Sequence, residues 1–183
     1  MENRLRELEE KHGGLTNGYV TTRSPHEKKK RKIGYKMRGG DRMTLHNYAP
    51  VYAKHLPPDP RLIIEIGVLK GTGLFMWRDL FPKARIVGLD VDLYNYQPKK
   101  GYDVEVYRFD KFVDNLRFFG KPDVVIDDAE HSTEGIIRCW ELNFSFLPQN
   151  FVYFIEDNDE VHKKIDPLGC EMKNYGRITV IWR

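Results

Sequence analysis

Acidic residues recur at one kind of place in this chain, directly after short apolar runs. Glu65 leads into Ile66-Gly67-Val68-Leu69-Lys70-Gly71-Thr72-Gly73, and Asp90 and Asp92 follow Arg85–Leu89. Asp110 follows Val104–Phe109, Asp127-Asp128-Ala129-Glu130-His131 follows Asp123–Ile126, and Glu156-Asp157-Asn158-Asp159 follows Phe151–Ile155. Carboxylates gathered in this way can accept hydrogen bonds from hydroxyl groups or hold a hard cation. With a histidine beside them they can also move a proton. The glycines at 67, 71 and 73 form a bend at a helix start, where backbone can approach a ligand closely.

The elements that must position these residues follow from the pattern. Arg61–Ile66, Arg85–Leu89, Val104–Phe109, Asp123–Ile126, Phe151–Ile155 and Arg177–Trp182 read as strands. Helical stretches at Thr72–Leu80, around Phe112–Phe119 and at Thr133–Phe146 separate them. Near-continuous apolar strands alternating with helices predict an α/β fold with a Rossmann-like, doubly wound, mostly parallel sheet covered on both faces. Ligands of such sheets sit at the carboxyl ends of the strands, where the acids are. Before the strands, a helical pattern from residue 44 (Leu45, Tyr48, Tyr52, Leu56) stops at Pro57-Pro58-Asp59-Pro60. Residues 2–12 read as a short polar helix without an apolar face, expected to dock only weakly. The expected organisation is a basic, partly flexible arm over 1–38, a helical segment over 39–60 and one compact ligand-binding domain over 61–183.

The formal net charge of +3 conceals an asymmetry: residues 1–40 carry 11 Lys/Arg against 5 Asp/Glu, so the remainder is mildly acidic. The run Lys28-Lys29-Lys30-Arg31-Lys32 could contact phosphates, but only Tyr19 and Tyr35 flank it. A solvated arm is the favoured reading over a nucleic-acid surface. With 183 residues, 40% hydrophobic and 31% charged, the chain is neither low-complexity nor globally disordered. No apolar run approaches the roughly 18 residues that cross a bilayer. Cys139 and Cys170 are far apart and fit thiols of a reducing compartment, so a cytoplasmic protein with no membrane partner is expected.

An acid about 20 residues beyond a glycine-rich bend suits ribose hydroxyls. That arrangement serves dinucleotides and S-adenosylmethionine alike. A Tyr-x-x-x-Lys pair at Tyr96 and Lys100 evokes NAD(P)-dependent dehydrogenases, but Pro98 lies inside it and denies it the required helix. Glu65 would repel a pyrophosphate and suit a sulfonium or an α-ammonium group, which favours S-adenosylmethionine.

The stretch Glu65-Ile-Gly-Val-Leu-Lys-Gly-Thr-Gly-Leu-Phe-Met-Trp77 resembles the first motif of class I S-adenosylmethionine-dependent methyltransferases. More narrowly, the chain is similar to the macrolide-sugar O-methyltransferase and cephalosporin-hydroxylase-like group. The group's Asp-Asp-Gly-Ser-His motif is matched by Asp127-Asp128-Ala129-Glu130-His131, and its Glu-Asp pair by Glu156-Asp157. Asp41-Arg42-Met43-Thr44-Leu45-His46-Asn47-Tyr48-Ala49-Pro50-Val51-Tyr52 resembles its Thr-Asp-Lys…His-x-Tyr-x-Pro-x-Tyr opening segment. The resemblance covers roughly residues 39–160. It implies methyl transfer to a hydroxyl of a sugar or another small molecule, with Mg²⁺ (or Mn²⁺ as a substitute) held by Asp128, Glu156 and Asp157. It implies His131 as general base. Glu65, Gly67, Gly71, Gly73, Asp90, Asp110 and Asp127 are the residues expected around the cofactor.

The departures carry expectations too. Ala129 in place of glycine would strain a left-handed turn, and Glu130 adds a carboxylate beside the cation. Met76 and Trp77 are expected only to pack. The 27 residues after Glu156 leave little room for a helix plus hairpin. Acceptor walls are therefore expected from residues 13–56 or from a second subunit in a homo-oligomer. The alternative reading is a nucleic-acid-associated or regulatory protein that keeps the fold without the chemistry.

Overall fold

A computed structural model describes residues 1–13, 15–20, 33–37, 40–109 and 115–183, the two short segments 15–20 and 33–37 as backbone alone. The basic run at 28–32 and Asp110 lie outside the described residues. In chain order the elements are α1 (Glu2–His12), β1 (Leu15–Val20), β2 (Ile33–Met37), α2 (Ala49–His55), β3 (Leu62–Ile66), α3 (Thr72–Leu80), β4 (Arg85–Asp90) and β5 (Glu105–Arg108). They continue with β6 (Val124–Asp127), α4 (Thr133–Asn143), β7 (Val152–Ile155), β8 (Glu171–Asn174) and β9 (Thr179–Trp182), with 3₁₀ turns at Asn115–Phe118, Phe144–Phe146 and Val161–Lys163. None of the described helices is long and apolar enough to cross a membrane.

Seven strands form one sheet in the order β5-β4-β3-β6-β7-β9-β8, and β1 and β2 pair separately as an antiparallel hairpin. The first five are parallel, and β9 is antiparallel to both β7 and β8. The chain works outward from β3 to β4 and β5, then returns to place β6 on the other side of β3. Two loops therefore diverge above β3 and β6, and the crevice between them is where such sheets bind ligands.

The alternation of side chains along each strand builds two cores. Ile63, Val124, Ile126, Val152 and Phe154 face α1, α2 and α3, packing with Leu5, Leu8, Tyr52 and Trp77. Ile64, Ile66, Val125, Tyr153 and Ile155 face α4, packing with Ile136 and Trp140.

Three expectations change. The N-terminal helix is firmly docked: Leu5 and Leu8 are fully buried, and Glu9 accepts the backbone N–H groups of Met43 (2.7 Å) and Thr44 (2.8 Å). Two leucines three residues apart suffice as an apolar stripe when polar groups beside them bind backbone. The helix expected from residue 44 begins only at Ala49, because Asp41–His46 fold into turns closed on the Asp41 carbonyl. Finally, the residues after Glu156 do find room for a hairpin, β8–β9, although β8 is too polar to show as a strand in the sequence.

Candidate active site

The phase of each strand decides which of its terminal acids face the crevice. Glu65 shares the face of Ile63, and Asp128 and Glu156 continue the faces of Ile126 and Phe154, toward α1 and α2. Asp127 takes the opposite phase, that of Val125. It is buried below the sheet, accepts a hydrogen bond from Tyr153 Oη at 3.0 Å, and does not line the crevice. Burial pushes its carboxyl up to about 6, against the Tyr153 hydrogen bond that favours the ionised form.

The crevice is a cleft of about 810 Å³, within the range of ligand sites. Glu65, Gly67, Gly73, Asp90, Asp128, His131 and Asp157 all line it; Gly71 and Glu156 do not. Gly67 is required by sterics. Its φ is +92°, and a Cβ there would stand 2.3 Å from the Asp128 carbonyl oxygen, so only glycine lets the two diverging loops touch. Gly73 gives room in another way, since a Cβ would stand 2.3 Å from the Glu65 carboxylate. Gly71 caps the start of α3.

Asp90 fastens the loop to the sheet. One of its oxygens accepts the N–H groups of Val68 (2.8 Å) and Leu69 (3.2 Å), and the other accepts that of Asp92 (3.1 Å). These bonds hold Leu69 at φ +47°, a conformation costing a non-glycine residue roughly 1–2 kcal/mol. Asp90 itself lines the cleft.

In the same cleft one ligand atom each from Asp128, His131 and Asp157 lies within 4.8 Å of the other two. Two carboxylates and an imidazole so placed fit a single divalent cation beside a proton acceptor. Asp157 has φ +58°, and its carboxylate accepts one hydrogen bond from Tyr48 Oη (2.7 Å) and pairs with Arg177 (3.3 Å). Ala129 is not in the left-handed region, so its expected strain is absent; the positive φ falls on Asp157 instead. Glu130 accepts from Ser132 Oγ at 2.8 Å, and Ser132 caps α4. Tyr96 and Lys100 lie in the irregular connection between β4 and β5, with no helix to align them.

The feature least legible in the sequence is Arg42. Its buried guanidinium donates to three carboxylates: Nε to Glu156 at 2.8 Å, Nη1 to Glu65 at 3.2 Å and Nη2 to Asp128 at 3.1 Å. Burial opposes its charge, but Glu156 and Glu65 outweigh burial and hold it firmly protonated. Burial also pushes the Glu156 carboxyl upward, with Arg42 opposing it, and raises Asp128 to about 6. Tyr52 Oη also donates to Glu156, with its ring stacked 4.2 Å from that of Phe154. Tyr48, the residue that caps the start of α2, and Tyr52, one turn further on, thus reach Asp157 and Glu156 in turn. Trp77 does more than pack, since its Nε1–H donates to Glu65 at 2.5 Å. The sequence signal for Tyr48 and Tyr52 was their i, i+4 spacing; for Arg42 there was none beyond its place in the opening segment.

No protein-family profile matches the chain. It is 26% identical over 132 residues to 8-demethyl-8-alpha-L-rhamnosyl tetracenomycin-C 2'-O-methyltransferase of Streptomyces olivaceus, a match covering 65% of this chain and 35% of that protein. It is 30% identical over 127 residues to mycinamicin VI 2''-O-methyltransferase of Micromonospora griseorubida, covering 62% and 32%. The chain thus spans about a third of the length of the curated relatives it matches. Among solved structures, the MycE methyltransferase of mycinamycin biosynthesis, in complex with Mg and SAH, superposes with a TM-score of 0.59 at 20% identity, covering 75% of this chain and 50% of that one. CmcI with SAH superposes with a TM-score of 0.57 at 21% identity, covering 88% and 95%. The chain has the Rossmann-like fold of class I S-adenosylmethionine-dependent methyltransferases, and over about 130 residues its sequence is similar to sugar O-methyltransferases.

Proposed function

We propose that the chain is an S-adenosylmethionine-dependent O-methyltransferase that methylates a hydroxyl of a small molecule, such as a sugar, with the help of a divalent cation. The observation that carries this reading is one cleft lined both by the Gly67 loop and Asp90 and by the cluster of Asp128, His131 and Asp157. The relatives named for sugar O-methylation support the reaction class, and the Mg and SAH complexes of a protein of the same fold support the two ligands.

The cofactor would lie along the Gly67 loop, with its ribose hydroxyls toward Asp90 and its positive end toward Glu65 and Asp128. Asp128 and Asp157 would hold the cation; Mg²⁺ commonly uses one or two carboxylates and completes its shell with water and substrate. When bound, the cation polarises the acceptor oxygen and makes its proton easier to lose. In the transfer an O–C bond forms as the S–C bond breaks, the electron pair goes to sulfur, and the hydroxyl proton passes to His131. Methyl transfer needs in-line alignment above all, which rigid strand ends supply.

Calorimetry with S-adenosylhomocysteine is the direct test. Binding in the micromolar range and loss of turnover with chelator, restored by Mg²⁺, are expected. Absence of S-adenosylhomocysteine binding would remove the cofactor reading, and indifference to chelator would remove the cation. Of the described residues, none favours the nucleic-acid reading, whose basis at 28–32 lies outside them.

A further inference from the structure

Four acids meet at the ends of β3, β6 and β7, and one buried cation stands among them. We propose that Arg42 is a resident cation that divides these acids into two sets: Glu65 and Glu156, which it holds buried, and Asp128 and Asp157, which stay open to an external divalent cation although Arg42 also touches Asp128. The inference deepens the cation-assisted reading of the cleft and rests on it.

The geometry supports the division at three points. Glu156, the acid adjoining Asp157, does not reach the cleft: its carboxylate is buried and is taken up by Arg42 Nε and by Tyr52 Oη. Glu65 borders the cleft, but its side chain is almost wholly buried and its carboxylate is held by Arg42 Nη1 and Trp77 Nε1. Asp128 also accepts from Arg42, at Nη2, but its side chain is about a third exposed and lines the cleft. Asp157, which lines it too, accepts from Tyr48 Oη and is paired with a half-exposed arginine, Arg177, that water can screen. Each fork of the guanidinium therefore ends on a different acid, an arrangement that a planar donor can make and a point charge cannot.

Two consequences follow from charge alone. A divalent cation in this cleft is attracted by fewer carboxylates than the sequence places there, and it is repelled by a fixed positive charge a few ångströms away. Arg42 therefore keeps the cation loosely held, dependent on water and acceptor oxygen to complete its shell. Arg42 is in this sense a positioning residue: it acts through the acids it holds. Its own place is set by α1, because Glu9 and Arg6 bind the backbone of Met43 and Thr44 directly beside it.

Mn²⁺ binding, followed by the electron paramagnetic resonance signal of the free ion, tests the division without any need for an acceptor. Arg42→Met frees Glu156 and Glu65 and is expected to bind Mn²⁺ about tenfold more tightly than wild type, while Arg42→Lys, which keeps the charge, stays within about threefold. Glu156→Gln alone is expected to change Mn²⁺ affinity less than about threefold, whereas Asp157→Asn weakens it more than about tenfold. The Arg42→Met/Glu156→Gln double variant is expected to lose most of the gain, which a merely structural arginine would not produce. Weaker Mn²⁺ binding by folded Arg42→Met, or equal loss in Glu156→Gln and Asp157→Asn, overturns the division while leaving the cation reading standing. Should Arg42→Met fail to fold, the comparison of Glu156→Gln with Asp157→Asn decides by itself. Wild-type protein that binds S-adenosylhomocysteine but no Mn²⁺ overturns the division and the cation reading together.

Discussion

Asp127 and Asp128 are neighbours in sequence, yet successive residues of a strand face opposite sides of the sheet, so only Asp128 opens on the cleft. The double acid was visible in the sequence as a strand-end motif. Its division was also available there, in the phase of Val124, Val125 and Ile126, but that phase has meaning only once it is known which face α1 and α2 cover. Asp127 is thereby placed away from the expected cofactor contacts. Asp127→Asn is expected to leave S-adenosylhomocysteine affinity unchanged within about twofold, and to raise stability by about 1–2 kcal/mol at neutral pH by replacing a buried charge with a group that still accepts from Tyr153. Chemical denaturation and calorimetry on the same variant check both halves; loss of ligand binding would return Asp127 to the site. His131 is read differently, because it lines the cleft with one ring nitrogen within 4.8 Å of a carboxylate oxygen of Asp128 and of Asp157. His131→Ala is expected to lower the rate of methyl transfer by about 10²–10⁴-fold, as removal of a general base does, with S-adenosylhomocysteine binding retained. Single-turnover rates that match wild type would take the proton transfer away from this residue.

Among the elements, α3 and the parallel strands were legible because their burial leaves nearly uninterrupted apolar runs, and α3 spans the expected residues Thr72–Leu80. The misread elements share a physical cause: their stability comes from partners distant in sequence. β8, Glu171–Asn174, has alternating exposed residues and becomes a strand only by pairing with β9. α1 is highly charged, and its anchors are Arg6 and Glu9 on the Met43 loop together with Lys11 and His12 on Asp79 of α3. His12 gives this docking a pH dependence. Lys99 Nζ, which can only donate, lies 2.8 Å from Nδ1, so that nitrogen accepts and Nε2–H donates to Asp79 at 2.8 Å. Burial lowers the His12 pKa below its ordinary 6.5, with Lys99 adding to the effect and Asp79 opposing it. A lowered value means the unfolded chain takes up the proton first, so the contribution is complete above pH 6.5 and is lost as pH falls below it. Thermal stability is expected to decline between pH 7 and 5.5. His12→Gln, which can still bridge Asp79 and Lys99, is expected to flatten that decline; an unchanged slope would assign it to other groups, His55 first among them.

At the scale of the whole molecule, the cleft is made by loops from β3, β4, β6 and β7 and closed by the segment that α1 holds, so both cores meet at the site. The strand-end acids made the location of this cleft readable from sequence. Arg42 was not readable, because its three contacts span 23, 86 and 114 residues and no local pattern encodes them. A ligand seated across those loops binds only the assembled sheet, and its binding energy adds to the stability of the whole unit rather than of one loop. At about 100 times its dissociation constant, S-adenosylhomocysteine should contribute about 2.7 kcal/mol. In a chain of this length that corresponds to roughly 5–11 °C in the unfolding midpoint. S-adenosylmethionine carries a sulfonium charge that S-adenosylhomocysteine lacks, so the two ligands should respond differently to a cation sharing the same acids. Saturating Mg²⁺ is expected to weaken S-adenosylmethionine severalfold more than S-adenosylhomocysteine, and by linkage the charged ligand should weaken Mg²⁺ by the same factor. Thermal unfolding and calorimetry with each ligand, with and without Mg²⁺, measure both effects. Identical Mg²⁺ responses for the two ligands would mean that the cofactor and cation ends of the cleft are electrostatically independent, contrary to the bridge that Arg42 makes between Glu65 and Asp128.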